Sequence, residues 1–225
     1  MSTAYQQKSN AAKGNILSKL KKEVAGADYS KLPAEPDYQY PKLSYTEQLS
    51  QFIGHLEANH AQVIKLKETD IAKVVTEQLK KRNITKLLCG RSAPISAMLA
   101  EVDHSISREV YDFDLQANKD KLFNDMPAAF TNSHAAISAT GSIVLWPKIE
   151  EPRALSLVPP VNIVLVDAKS LHASFADLIN AQQWQDKLPT NIVLVSGPSK
   201  TADIQQTLAY GAHGPKELVV LLLNT

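Results

Sequence analysis

Three short runs in the second half of the chain, residues 161–166, 191–195 and 217–223, are almost wholly apolar and lack polar alternation. Strands of that kind need cover on both faces, which is the condition of a parallel sheet held between other layers. The stretches around them complete the pattern. Residues 46–59, 71–82, 95–101, 171–181 and 202–210 read as helices, interleaved with those runs and with further strands at 62–66 and 84–89. This is the βαβ rhythm. Residues 135–139 and 142–146 are strand-like and meet at Thr140-Gly141, which predicts a hairpin or bulge. The expected fold is therefore α/β, a mostly parallel helix-covered sheet formed by residues 45–225.

Residues 1–44 differ from that domain. The first 26 hold Lys8, Lys13, Lys19, Lys21 and Lys22 against the single acid Glu23, while Ile16, Leu17, Leu20 and Val24 recur at helical spacing. The stripe is short and has no aromatic anchor of the kind used by membrane-surface helices, so it reads as a face packed on its own domain or on a partner subunit. Pro33, Pro36 and Pro41, set among tyrosines, then mark an extended linker. The +4 charge of the first 26 residues leaves −3 on the rest and marks the N-terminal segment as a docking end.

Overall charge narrows the function classes. With 24 basic and 23 acidic side chains, the net charge is +1, and no general field draws the chain to nucleic acid or an anionic membrane. No run reaches the roughly 18 apolar residues of a membrane span, and the N-terminus lacks a signal-peptide core, so a cytoplasmic location is expected. Cys89 is the only cysteine. The chain can neither close a disulfide on itself nor supply the thiolates of an ordinary iron–sulfur cluster, and a zinc site built from several thiolates is equally excluded. As a residue ending an apolar run, Cys89 reads as core rather than nucleophile.

The chemistry-bearing loop is Ser196-Gly197-Pro198-Ser199-Lys200-Thr201-Ala202-Asp203-Ile204, between an apolar run and a predicted helix. Gly197 permits close backbone approach, Ser199 and Thr201 offer hydroxyls, and Lys200 adds a cation at a helix N-terminus, a place that favours anions. Ser199 or Thr201 could equally serve as a helix cap. Arg91, in the turn after residue 89, could face the same sheet end as Lys200. At the far end of the predicted helix, Tyr210-Gly211-Ala212-His213-Gly214-Pro215 combines a helix stop with a histidine that either bonds a backbone carbonyl or moves a proton. A straight helix would hold Lys200 and His213 about 15–20 Å apart. His134 is a second-rank candidate, and His55 and His60 do not share a helical face.

The segments Ser138-Ala139-Thr140-Gly141-Ser142-Ile143-Val144-Leu145, Pro152-Arg153-Ala154-Leu155-Ser156, the loop from Ser196 and the Gly211-Ala212-His213-Gly214-Pro215 motif occur in that order. The series resembles the LUD-domain family, and most closely its lactate utilization protein C (LutC) branch. Lys200 stands where relatives usually carry arginine, and Ala139 where they often carry an acid. The resemblance implies a fold like the NagB/RpiA/CoA-transferase group. It also implies a part in bacterial oxidation of L-lactate to pyruvate, beside iron–sulfur proteins of the LutA and LutB type. This chain itself would carry no cofactor, and its role would be that of a non-redox subunit binding a small anion or its partners. The expected ligand-binding residues are Gly197, Ser199, Lys200 and Thr201, with Thr140, Gly141, Ser142 and Arg153. The alternative is an independent enzyme acting on a phosphorylated or CoA-linked small molecule. It requires a nucleophile or general base, for which His213 and Asp203, with Glu150 or Glu151, are the candidates.

Overall fold

A computed structural model describes residues 3–28, 41–114, 117–184, 188, 190–202, 208–211 and 213–224. The chain divides into two compact units, Met1–Gln39 and Tyr40–Thr225. Among its described residues the first contains one helix, α1 (Thr3–Glu23). Its apolar stripe is unburied, with Ile16 61%, Leu17 45%, Leu20 57% and Val24 48% exposed. Among the described residues, no helix is long and apolar enough to cross a membrane.

The second unit opens with α2 (Tyr45–Ala58), which begins where it does because Ser44 and Glu47 form a capping box that satisfies each other's backbone N–H. There follow β1 (Gln62–Leu66), α3 (Ile71–Lys81), β2 (Lys86–Cys89), α4 (Ala93–Met98), β3 (Ser107–Val110), β4 (Ala128–Asn132), β5 (Ala135–Ile137), β6 (Ser142–Leu145), α5 (Arg153–Leu157), β7 (Val161–Asp167), β8 (Leu171–His172), α6 (Phe175–Gln182), β9 (Val193–Val195), β10 (Lys200–Ala202), β11 (Leu208–Tyr210) and β12 (Glu217–Leu223).

The main sheet has six strands in the order β1-β12-β7-β4-β2-β3, all parallel. The apolar run of β12 now has its explanation in the pleat, which sends successive side chains to opposite faces. Val219, Leu221 and Leu223 enter one core with α3 and α4, packing with Val75, Leu79, Ile95 and Leu99. Leu218, Val220 and Leu222 enter a second core with Phe52 and Leu56 of α2. The expected mostly parallel sheet is present. One face, however, is covered by α2 together with a second sheet, β8-β5-β6-β9, rather than by helices alone. Within it β5 and β6 form the hairpin expected at Thr140-Gly141. The edge strand β3 carries Arg108, which donates to the Leu99 carbonyl, and Glu109, which pairs with Lys121.

Two expectations are corrected. The run at 191–195 is not a strand of the parallel sheet: β9 pairs antiparallel with β6 at the margin of the smaller sheet, where Leu194 is 47% exposed. The helix expected at 202–210 is replaced at both described ends by an antiparallel hairpin, in which Lys200 pairs with Tyr210 and Ala202 with Leu208. Residues 203–207 lie outside the described residues. The apolar spacing there is too short to separate helix from strand, and the cross-strand ladder, extended by Gly211 N–H donating to the Ser199 carbonyl at 3.0 Å, decides it.

Candidate functional site

The expected residues fall at two separate places. The first surrounds the end of α2. A Cβ on Gly141, whose φ is +59°, would lie 2.3 Å from His55 Cβ. A Cβ on Gly197 would lie 2.8 Å from the Asn59 carbonyl oxygen. Both glycines thus allow backbone to close against the helix, which is a packing role. Beside them, hydroxyls run in a chain from Thr140 through Ser142 to Ser196, each step 2.8 Å. Ser199 ties the last loop together. Its N–H donates to the Pro215 carbonyl at 2.8 Å, and its Oγ accepts from His213 N–H at 3.2 Å. Lys200 and His213 are exposed, while Asp203 lies outside the described residues, as does the side chain of Thr201.

The hairpin changes the geometry inferred from the sequence. Lys200 and His213 are not at opposite ends of a helix; the Lys200–Tyr210 pairing folds the two motifs onto each other. Yet the cluster does not lie where α/β sheets hold ligands. Asn59 leads into β1 and Pro215 into β12, so it flanks the amino-terminal ends of those strands. The anion argument for Lys200 also loses its helix N-terminus, because Lys200 sits in a strand.

The second place is the carboxyl edge of the main sheet. After β2 the chain turns to β3 on one side, whereas after β4 it leaves toward β7 on the other. Neighbouring strands whose connections diverge leave a crevice, and such switch points are where open α/β sheets bind ligands. Here the crevice is closed by the segment 147–152. Arg91 N–H donates to the Glu150 carbonyl at 3.0 Å, and the Glu151 carboxylate accepts from Asn132 N–H at 3.0 Å. Gly90 admits this segment: a Cβ there would lie 2.5 Å from Glu151 Cγ and 2.8 Å from the Glu150 carbonyl oxygen. Burial pushes the Glu151 carboxyl above its ordinary value; Asn132 N–H and Lys148 oppose the shift, and Glu150 adds to it.

Adjoining Glu151 is a cavity of about 760 Å³, lined by Arg91, Arg153, Tyr111, Asp112, Asp114 and Asn191 among others. Arg153 is the one expected ligand residue found here, on the first turn of α5. Neither the Arg91 nor the Arg153 guanidinium makes a hydrogen bond or ion pair with a side chain among the described residues, so both are available to an anion. Tyr111, Asp112 and Asp114 are not legible as site residues from the sequence, because β3, which delivers them, has only four residues, two of them charged. The alternation Tyr111-Asp112-Phe113-Asp114, just past β3, is the signal in the sequence that marks this stretch.

The other candidates have structural roles. His134 Nε2 and Trp184 Nε1 both meet Gln182 Oε1, at 2.6 and 2.8 Å, and the His134 ring lies 4.4 Å from that of Trp146. Cys89 is buried, its thiol donating to the Glu109 carbonyl, and burial raises its pKa. That fits the core reading.

Fold and cavity together define an open α/β domain with a concavity of about 760 Å³ at the switch point of a parallel sheet. The LUD domain family model matches residues 49–223, and the chain belongs to the LUD-domain family. It is 34% identical over 221 residues to the uncharacterized protein NMB1437 of Neisseria meningitidis serogroup B, covering 95% of this chain and 94% of that one. It is 25% identical over 215 residues to lactate utilization protein C of Deinococcus radiodurans, covering 95% and 96%. Lactate utilization protein C of Macrococcus caseolyticus is 32% identical over 98 residues, or 42% of each chain. A crystal structure of a DUF162 family protein from Deinococcus radiodurans shares the fold, with a TM-score of 0.63 at 19% identity, covering 81% of this chain and all of that one.

Proposed function

We propose that this LUD-domain protein acts in lactate utilization as a non-redox component, holding a small carboxylate at the switch-point cavity while iron–sulfur partners carry the electrons. The observation that supports it best is the pair of guanidiniums, Arg91 and Arg153, lining one cavity without an internal side-chain partner among the described residues. Two such donors match a carboxylate's two oxygens. The names of several relatives supply the metabolic context, and one buried cysteine leaves the chain without thiolates for a cluster of its own. The partner assignment is tested by anaerobic co-purification with iron–sulfur lactate-oxidation proteins; absence of any association counts against it. The anion assignment is tested by calorimetric titration with L-lactate, pyruvate and phosphate. Binding abolished in the Arg91→Ala, Arg153→Ala double variant is the expected result, and binding unaffected by it overturns the site.

Glu151 supports a second reading, an independent enzyme acting on a phosphorylated or CoA-linked molecule. A half-buried carboxyl of raised pKa at a switch point has the properties of a general base. Turnover by the isolated chain that is lost in Glu151→Gln supports this reading over the first. Loss in His213→Ala alone would instead move the chemistry to the other end of the sheet.

A further inference from the structure

Inside the main sheet β7 lies between β12 and β4, and its positions from Val161 to Val166 are all buried. Each is valine, isoleucine or leucine except Asn162, which is 1% exposed. Asparagine is poorly suited to that place. It is disfavoured in strands, and taking its amide out of water costs free energy unless the amide is bonded. The pleat turns Asn162 to the same side as its cross-strand neighbour Ala129, which packs with Leu155 of α5. Both ends of the amide find partners there. Asn162 Oδ1 accepts from Thr131 Oγ1 at 3.0 Å, and Nδ2 donates to the Ser156 carbonyl at 3.4 Å. Ser156 Oγ in turn donates to the Arg153 carbonyl at 3.0 Å. Thr131 and Ser156 are buried as well. A line of hydrogen bonds therefore runs from the interior of the sheet to the first residue of α5, and Arg153 lines the switch-point cavity. The next residue of β4, Asn132, holds Glu151 through its N–H, so β4 secures the segment before α5 as well.

We propose that Asn162 is a positioning residue: with Thr131 and Ser156 it fixes α5 on the sheet and so sets where the Arg153 guanidinium stands in the cavity. The inference rests on the anion reading of that cavity and adds the group that orients one of its two cations. With five residues, α5 is too short to hold helical geometry by itself. Burial of Leu155 anchors it, but burial has no direction. Hydrogen bonds to a strand enclosed in the sheet do have one. Arg153 makes no hydrogen bond or ion pair with a side chain among the described residues, so the seat of its backbone governs where its side chain can reach.

Thr131→Val with Asn162→Leu tests this, because it replaces both bonded partners by apolar groups of similar shape, a change close to neutral for stability. Amide hydrogen exchange needs no ligand. The N–H groups of Leu155 and Val158 donate to the Pro152 and Ala154 carbonyls. They should exchange at least about tenfold faster than in the parent, with the amides of β4 and β7 unchanged. Calorimetry should show L-lactate bound about five- to tenfold more weakly, since the site is held by its supporting residues. In an Arg153→Ala background the same pair of substitutions should change L-lactate affinity by less than about twofold, because the residue it positions is gone. Ser156→Ala cuts only the last bond and should weaken L-lactate binding about threefold; it carries both measurements if the double variant fails to fold. Unchanged exchange at Leu155 and Val158 overturns the proposal. So does an equal loss of affinity in the parent and Arg153→Ala backgrounds, which marks a general effect on the fold. A parent chain that binds none of L-lactate, pyruvate and phosphate overturns the anion reading instead. Faster exchange at Leu155 and Val158 would then still support the tether on α5, and unchanged exchange would overturn it.

Discussion

Gly90 and Glu151 meet so closely that a Cβ on the glycine would stand 2.5 Å from Glu151 Cγ. The contact joins the end of β2 to the segment that closes the crevice between β2 and β4, and it seats the Glu151 carboxylate against Asn132 N–H.

Gly90→Ala should therefore act on stability and on the site together. The new methyl meets the Glu150 backbone as well as the flexible Glu151 side chain, so the segment must shift. Overpacking of this kind costs about 1–3 kcal/mol. Chemical denaturation should show that loss, and calorimetry should show weaker anion binding even though neither arginine has changed.

Arg91→Ala and Arg153→Ala should separate affinity from stability. A hydrogen bond to a charged group contributes about 1.5–3 kcal/mol, so each variant should bind a carboxylate ligand roughly 10- to 100-fold more weakly. Both side chains are exposed and make no internal ion pair among the described residues. Their removal should shift unfolding free energy by no more than about 0.5 kcal/mol.

The raised Glu151 pKa has a definite sign in stability. The folded state holds this proton more tightly than the unfolded chain does, chiefly because the carboxyl is buried. Glu151 therefore favours folding at pH below the ordinary carboxyl range, and that contribution is lost as pH rises through the raised value. Glu151→Gln keeps an acceptor for Asn132 N–H and removes the charge. Its melting temperature should exceed the parent's at neutral pH, with the difference closing toward about pH 4. A gap that widens on acidification would contradict the assignment.

Cys89 should resist thiol reagents in the native protein. Its thiol is buried and its pKa is raised, first by burial. Labelling with a disulfide reagent should be slow and should speed up in parallel with denaturant-induced opening. Rapid labelling without denaturant would show that the end of β2 is open.

The parallel sheet was legible because β7 and β12 are buried on both faces and have little room for polar residues. The strand β4, placed between them and β2, was not. Its sequence Ala-Ala-Phe-Thr-Asn has few strand-favouring side chains, and its four buried residues owe their strand geometry to neighbours on both sides. The Ser196–Thr201 loop is distinctive in sequence, but its place at the amino-terminal ends of β1 and β12 is not, because the direction of the short apolar run before it is set by a partner, here β6, and not by its own residues. Arg153 stands in a sequence motif, whereas Glu151 and Arg91 acquire their place only when Gly90 brings two loops together.

The charged residues on β3 have a consequence for assembly. An edge strand offers unpaired backbone groups to any other chain that can lie alongside it. In β3, Arg108 and Glu109 are already bound to Leu99 and Lys121, so a neighbour adding there would have to bury charge against charge. Lys65 interrupts the opposite edge, β1, in the same way. Growth of the sheet from one molecule into the next is thereby discouraged at both margins, and a LUD domain built like this one meets other proteins through side chains rather than by lengthening its ladder.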